Sequence, residues 1–227
     1  MPDPPRSRDR AHARPTRAAL VTDFDGTLTQ RDVYELVVER FGLPPGEHPF
    51  AAYRAGELTH LEAMQRIFAR ADDEQALLDL LPGVGLQPGL EDLVGRLDAA
   101  GWDVVVVSAG CCWYIDRLLA DAGVEVEVHS NPGRFEPGRG LVIEPPTGDF
   151  VSAEVGIDKA AVLRHVRATH HPVAFAGDGL ADLPPARLVP DTLRFARGDL
   201  AAAAAAEGLP TRAFGSWAEV VEEVLAS

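Results

Sequence analysis

The chain has 227 residues, 46% of them hydrophobic and 25% charged, which excludes a disordered protein and suits one mid-sized domain or a core domain with a small insert. Its formal net charge of −14 argues against nucleic acid or an anionic membrane as partners, because both would be repelled. No apolar run approaches the ~20 residues of a membrane-spanning helix, and the N-terminus lacks the apolar segment of a secretory signal, so we expect a cytoplasmic protein.

The first segment, residues 1–17, contains five arginines and almost nothing apolar. We therefore expect a disordered tail there. An apolar run then begins at Ala18 and predicts a buried strand that stops at Asp23, the start of the polar stretch Asp23-Phe-Asp25-Gly26-Thr27.

Helical periodicity dominates the next segment. Apolar residues recur at helical spacing over residues 32–41 and 58–71, and a third short helix is predicted over 73–81. Because no clear strand interrupts this block, we predict that residues 32–83 form a small helical cap inserted after the first strand.

Strands and helices alternate through the remainder of the chain. We predict strands over residues 102–107, 124–128, 172–176 and 192–196, a hairpin over 134–143, and helices after residues 88, 111, 158 and 217. This alternation predicts an α/β fold with a doubly wound, Rossmann-like parallel sheet, built from residues 18–31 and 84–227. Such sheets bind ligands beyond the carboxyl ends of their strands, which is where Asp23, Ser108 and Asp178 fall.

Asp23 and Asp25 are the first candidate catalytic residues. Both follow the first strand, and Gly26 allows backbone N–H groups to face an anion. The Asp23 carboxylate can attack phosphorus to form an aspartyl phosphate, and Asp25 can protonate the leaving oxygen and then activate water. The alternative is a turn in which both aspartates only cap backbone donors.

Ser108 and Lys159 are candidate phosphate-binding residues. Ser108 ends the second predicted strand, where its hydroxyl and the Ala109 N–H can hold a phosphate, although an ordinary helix N-cap is the alternative. Lys159 is the only lysine and lies in the first turn of a predicted helix, where the helix dipole disfavours a cation. Neutralising a transferring phosphoryl group would offset that cost, and a solvent-exposed lysine is the alternative.

Two further carboxylates follow a later strand, in Gly177-Asp-Gly-Leu-Ala-Asp182. Together with Asp23 and Asp25, Asp178 and Asp182 form a set that would repel itself without a cation. Mg²⁺ prefers carboxylate oxygens and keeps several waters. We therefore predict Mg²⁺ as the cofactor.

These motifs, in this order, resemble the four motifs of haloacid dehalogenase superfamily phosphatases, and the resemblance covers residues 18–227. It implies a magnesium-dependent phosphatase that acts through an aspartyl phosphate, with Asp23 as nucleophile and Asp25 as acid and base. The phosphate site that it implies contains Ser108, Ala109, Lys159 and Gly26. The implied metal site contains the Asp23 side chain, the Asp25 backbone carbonyl and Asp178, with Asp182 in support.

The position of the insert resembles the helical-cap subgroup, which contains phosphoserine phosphatases and the methionine-salvage phosphatases of 2-hydroxy-3-keto-5-methylthiopentenyl-1-phosphate. Asp32 and Gln65 stand where phosphoserine phosphatases usually have glutamate and arginine, and Ala181 replaces their asparagine. Arg66, adjacent to Gln65, is a substitute for that arginine if the alignment shifts by one residue. Asp32, Gln65 and Arg66 are thus the candidate substrate-binding residues of the cap.

The resemblance implies a small phosphorylated metabolite as substrate. We expect the salvage ester first and a phosphoserine or phosphoamine ester as the alternative. A phosphometabolite-binding protein without catalytic activity is the alternative of another class, because fold alone does not fix function. A homodimer is the expected assembly if the protein is not a monomer.

Overall fold

The computed structural model describes residues 16–226. Ten strands lie in this range: β1 (Ala18–Thr22), β2 (Trp102–Cys111), β3 (Glu127–Asn131), β4 (Gly133–Glu136), β5 (Gly140–Ile143), β6 (Val151–Ser152), β7 (Gly156–Ile157), β8 (Val173–Gly177), β9 (Arg194–Ala196) and β10 (Arg212–Ala213). The α-helices of the same range are α1 (Val33–Phe41), α2 (Pro49–Arg54), α3 (His60–Phe68), α4 (Glu74–Leu80), α5 (Leu90–Ala99), α6 (Cys112–Asp121), α7 (Lys159–Thr169), α8 (Leu183–Ala186), α9 (Gly198–Ala206) and α10 (Trp217–Leu225). Of these described helices, none combines the length and apolar character that crossing a bilayer requires.

Most of the predicted N-terminal tail lies outside the described residues. Its last residue, Arg17, is described and is held against the core: its guanidinium donates to the Asp103 and Asp98 carboxylates, each at 2.7 Å. The core therefore begins at least one residue earlier than the sequence pattern indicates.

The central sheet has six strands in the order β10-β9-β8-β1-β2-β3, and every pairing in it is parallel. Side chains alternate between its two faces: Leu20 lies in one apolar cluster, while Val21 lies in the other. Because helices cover both faces, the strands carry unbroken apolar runs. The predicted doubly wound α/β fold is confirmed.

Several element boundaries differ from the prediction. The strand predicted over 124–128 runs instead over 127–131, because Gly123 (φ 70°) ends α6 and the Val124 N–H donates to the Leu119 carbonyl at 2.9 Å. Strand β2 continues past its predicted end to Cys111. Helix α2 and the two-residue strands β6, β7 and β10 were not predicted.

Helices α1–α4, which we call the cap helices, pack on one another, and α3 packs against the β4–β5 hairpin. The Gln65 side-chain amide donates to the Ile143 carbonyl at 2.8 Å, and the Leu61 N–H donates to the Glu154 carbonyl at 3.0 Å. Phe68 belongs to the same apolar cluster as Leu141 of the hairpin. Helix α3 is thus held by the β4–β5 hairpin and by the turn between β6 and β7. The exact cap boundary, residues 32–83, stays a prediction.

Gly140 offers a test of this packing. A Cβ at Gly140 would lie 2.5 Å from the Phe68 carbonyl oxygen, whereas a Cβ at Gly138 would meet nothing within 4 Å. Both glycines have left-handed φ (74° and 78°), so alanine at either position costs about 1–2 kcal/mol of conformational energy. We expect Gly140→Ala to lower the free energy of unfolding by a further ~1–3 kcal/mol relative to Gly138→Ala, because α3 must move away. Urea denaturation measures this difference, and equal losses would contradict the contact.

Candidate active site

A cavity of about 300 Å³ lies between the carboxyl ends of the central strands and the cap helices. Asp23 follows β1, Ser108 lies near the end of β2, and Asp178 follows β8. All three line the cavity, together with Asp25, Ala109, Lys159 and Asp182. The strand ends that the sequence pattern singled out therefore meet at one place.

Lys159 lies at the floor of this cavity. It is the first residue of α7, its side chain is only 2% exposed, and its Nζ lies 2.8 Å from Asp23 Oδ1 and 2.7 Å from Asp182 Oδ1. Burial alone would lower its pKa, but the Asp182 and Asp23 carboxylates outweigh burial and raise it. The alternative of a solvent-exposed lysine is wrong, and the two carboxylates explain how a cation is tolerated at a helix N-terminus.

Asp182 is fully buried, and the chain engages both of its oxygens. Oδ1 accepts from Lys159 Nζ, and Oδ2 accepts from the backbone N–H groups of Asp178 and Gly179, each at 3.0 Å. This carboxylate therefore fixes the loop after β8, and with it the position of the Asp178 side chain.

Asp23 is buried beside three charged groups. Burial and the Asp182 carboxylate raise its pKa well above the usual range, against the opposing effect of Lys159. Burial and Asp182 likewise raise the pKa of Asp178 to about 6, while the Thr27 hydroxyl, which donates to Asp178 Oδ1 at 3.0 Å, opposes that shift. The field at this site is thus strongly negative.

Asp25 has partners on both of its oxygens. Tyr114 Oη donates to Oδ2 at 2.6 Å, and the Val33 N–H donates to Oδ1 at 3.2 Å. Burial raises the pKa of Asp25, and these two hydrogen bonds oppose the rise. Asp25 therefore accepts a hydrogen bond from the first residue of α1, as the alternative of a capping aspartate predicted. It also lines the cavity, so it is available to a ligand.

Tyr114 was not predicted from sequence. It lies on α6, where an aromatic residue at helical spacing is typical of the core, and it does stack on Phe68 of the cap at 5.8 Å between ring centroids. Gly110 makes room for it, because a Cβ there would lie 2.0 Å from Tyr114 Oη and 2.6 Å from Asp25 Oδ2. In the sequence, the one sign of such a contact was Gly110, a residue without a side chain close to Ser108.

The three remaining phosphate-site candidates have different surroundings. The Ser108 hydroxyl accepts from the Gly110 N–H at 3.0 Å, and Ser108 and Ala109 both line the cavity. Ser108 is not the helix N-cap of the alternative interpretation, since Cys111 holds that position. The Gly26 N–H donates to Thr29 Oγ1 at 3.0 Å, and a Cβ at Gly26 would lie 2.4 Å from Asp178 Oδ2. Because Gly26 has no side chain, the loop after β1 can approach the Asp178 carboxylate closely.

Only one of the three cap candidates lines the cavity. Asp32 does so, and burial together with the Asp25 carboxylate raises its pKa to about 8. Gln65 is bonded to the Ile143 carbonyl, and Arg66 lines a separate cavity beside α2. We therefore do not retain Gln65 or Arg66 as substrate-binding residues.

Other cap side chains take their place. The cap residues that line the cavity besides Asp32 are Tyr34, Phe50, Tyr53, Arg54, His60 and Met64. Three of them lie on α2, which the sequence pattern did not reveal, so their convergence could not be foreseen.

The carboxylates fit a divalent cation. One oxygen each of Asp23, Asp178 and Asp182 lie within 4.8 Å of one another. Lys159 is the single buried lysine against these three acids. Clustered oxygen donors with an excess of negative charge suit a hard cation such as Mg²⁺.

The chain is similar to several known proteins. A family model described as haloacid dehalogenase-like hydrolase matches residues 20–187. The 2-hydroxy-3-keto-5-methylthiopentenyl-1-phosphate phosphatase of Brevibacillus brevis is 23% identical over 210 residues, which cover 90% of this chain and 94% of that relative. The phosphoserine phosphatase of Idiomarina loihiensis is 27% identical over 130 residues, 56% of this chain and 58% of that relative.

A solved structure shares the fold. It is a phosphoserine phosphatase described as a phospho-aspartyl intermediate analogue, and it is 14% identical with a TM-score of 0.67. The match covers 91% of this chain and 98% of that one. The chain thus shares its overall fold with that structure.

Metal binding should compete with protons at Asp178. Its pKa is about 6 in the folded protein and about 4 in an unfolded chain, so the metal-free protein loses stability as pH rises from about 4 through about 6. A cation that neutralises the site should recover that loss. We expect excess MgCl₂ to raise the melting temperature more at about pH 8 than at about pH 5. KCl at equal ionic strength is the control, and equal gains at both pH values would contradict this account.

The Asp182–Lys159 pair should matter for stability. Asp182→Asn removes a charged acceptor from buried Lys159 and places an amide against two backbone N–H donors, so we expect a loss of at least about 1.5–3 kcal/mol in the free energy of unfolding. Glu207→Gln, which weakens the exposed ion pair with Arg187, is the matched control and should change little. Chemical denaturation of both variants is the measurement, and similar small losses would show that the buried pair is not stabilising.

Proposed function

This chain belongs to the haloacid dehalogenase-like hydrolase family and is a phosphoric monoester hydrolase, and we propose that it hydrolyses a small phosphomonoester through an aspartyl phosphate on Asp23. One observation carries the proposal: the Asp23 carboxylate, paired with buried Lys159 at 2.8 Å, opens into the same cavity as Asp25. A nucleophile, a fixed cation and a second carboxyl group are the parts that this chemistry needs.

In the first step Asp23 attacks phosphorus. A bond forms between its carboxylate oxygen and phosphorus, the ester P–O bond breaks, and the leaving oxygen takes a proton from the Asp25 carboxyl group. Lys159 supports this step because its ammonium favours the ionised form of Asp23 and offsets the charge of the phosphoryl oxygens.

In the second step Asp25 returns to the protonated form. It takes a proton from water as the water oxygen attacks phosphorus, the aspartyl P–O bond breaks, and inorganic phosphate leaves with Asp23 regenerated. Burial raises the pKa of Asp25, which suits a group that must both give and take a proton. The hydrogen bonds from Tyr114 and Val33 hold its carboxyl group in position.

Mg²⁺ is the proposed cofactor. When bound, it supplies positive charge that reduces the repulsion between a phosphate and the aspartates. The Asp23 side chain, the Asp25 backbone carbonyl and the Asp178 carboxylate would hold it, and Asp182 would support the site by fixing the loop of Asp178.

For the substrate we propose a small metabolite of the type named by the Brevibacillus relative, a 2-hydroxy-3-keto-5-methylthiopentenyl-1-phosphate. The similarity to that relative spans both the cap helices and the sheet domain. A phosphoserine or phosphoamine ester is the second candidate, because other relatives carry the name phosphoserine phosphatase. A binding protein without catalytic activity is disfavoured by the presence of every reacting side chain.

We expect magnesium-dependent phosphate release from the salvage ester, loss of that release with EDTA, and recovery with added MgCl₂. Asp23→Asn should abolish turnover, because an amide does not attack phosphorus, while Asp121→Asn on the exposed end of α6 should retain it. A malachite green assay of phosphate measures both. No release from any small phosphomonoester by the folded, magnesium-loaded protein would contradict the proposal.

A further inference from the structure

The cap side of the cavity is built from packed rings. We use the name aromatic cluster for Tyr34, Phe50, Tyr53 and His60. Phe50 is central: its ring centroid lies 4.3 Å from that of Tyr34, 6.1 Å from that of Tyr53 and 5.3 Å from that of His60. The Tyr53 and His60 rings also meet edge to face at 5.5 Å. The imidazole is therefore held in one orientation by neighbouring rings.

The His60 imidazole has an unused polar edge. Its Nδ1 is buried with no hydrogen-bond partner in the described part of the chain, although the side chain lines the cavity. Burying an N–H without an acceptor costs about 1–3 kcal/mol, so the proton belongs on the other nitrogen, Nε2. Burial, aided by the nearby Lys159 charge, lowers the pKa of His60 to about 4, which keeps the ring neutral. His60 thus offers one neutral N–H donor to a ligand.

The charges around the cavity restrict what that ligand carries. Six aspartates line it: Asp23, Asp25, Asp32, Asp178, Asp182 and Asp199. The cations among the lining residues are Lys159, which is engaged by Asp23 and Asp182, and Arg54, whose side chain is 69% exposed and lies 3.6 Å from Asp199. No lining cation is left without a carboxylate neighbour to receive a substrate carboxylate, so a carboxylate bound here would remain unpaired.

We propose that His60 and the aromatic cluster select a phosphomonoester whose leaving group carries no carboxylate and combines an apolar body with a carbonyl or hydroxyl oxygen that accepts from His60 Nε2. This inference rests on the phosphatase function proposed above and adds the substrate class. A substrate carboxylate finds no unpaired cation at this wall, and the His60 N–H needs an acceptor atom in the leaving group, which an ammonium group does not provide. The rings and Met64 suit an alkyl or thioether chain.

The test compares four esters: 2-oxopentyl phosphate, pentyl phosphate, phosphoserine and phosphoethanolamine. For the wild-type protein we expect the highest kcat/KM with 2-oxopentyl phosphate, about tenfold above pentyl phosphate, which corresponds to one hydrogen bond. Higher kcat/KM with phosphoserine or phosphoethanolamine would overturn the inference while leaving the phosphatase function intact. Absence of turnover with every ester would overturn both.

Variants of His60 separate recognition from a structural role. We expect His60→Leu to remove most of the roughly tenfold preference of kcat/KM for 2-oxopentyl phosphate over pentyl phosphate, mainly through a higher KM for the oxo ester. His60→Gln, which keeps an N–H donor, should restore part of the preference, and His165→Leu on the exposed face of α7 is the matched control. Equal losses of kcat/KM for both esters in His60→Leu would overturn the assignment.

Discussion

The structure depends on one buried ammonium group between two carboxylates. Lys159 holds Asp23 on one side and Asp182 on the other, within 2.8 Å. Through Asp182 it also fixes the backbone after β8, because that carboxylate accepts from the Asp178 and Gly179 N–H groups. A single charge therefore ties the end of β1, the start of α7 and the loop after β8 into one unit. Removing charged groups of this kind from water costs free energy. Buried ionic groups are therefore uncommon in an ordinary core and are concentrated at functional sites.

A second set of contacts ties this unit to its neighbours. Arg197, which follows β9, donates to the carbonyl groups of Gly26 and Thr29 and lies 5.1 Å from the Phe214 ring centroid. The loop after β1 is thus held by a residue that follows β9, two strands away in the sheet. Because the loop cannot drift, the approach of Gly26 to Asp178 is maintained, and the carboxylates stay close enough to share a cation.

Much of this arrangement followed from the sequence, because it is encoded by local patterns. Apolar runs that end in aspartate or serine located Asp23, Ser108 and Asp178 at strand ends, and parallel topology then requires those ends to meet. The position of Lys159, the only lysine, in the first turn of a helix indicated a role at the phosphate site but not its burial. The cap was different: helix α2 is six residues long and begins at a proline, so its periodicity is too short to detect. The cavity-lining role of Phe50 and Tyr53 depends on how α2 packs on α3, which is a tertiary contact without a local signature.

The same limit applies to Tyr114, whose importance comes from two neighbours far away in the chain. Its hydroxyl holds Asp25 while its ring lies on Phe68 of the cap helices, and the other Asp25 oxygen is held from the cap side by the Val33 N–H. The acid is therefore oriented jointly by the two halves of the molecule. Displacement of the cap helices would remove the Val33 hydrogen bond from Asp25 and the Phe68 ring from Tyr114. In the proposed mechanism, proton delivery would then depend on enclosure of the ester by the cap.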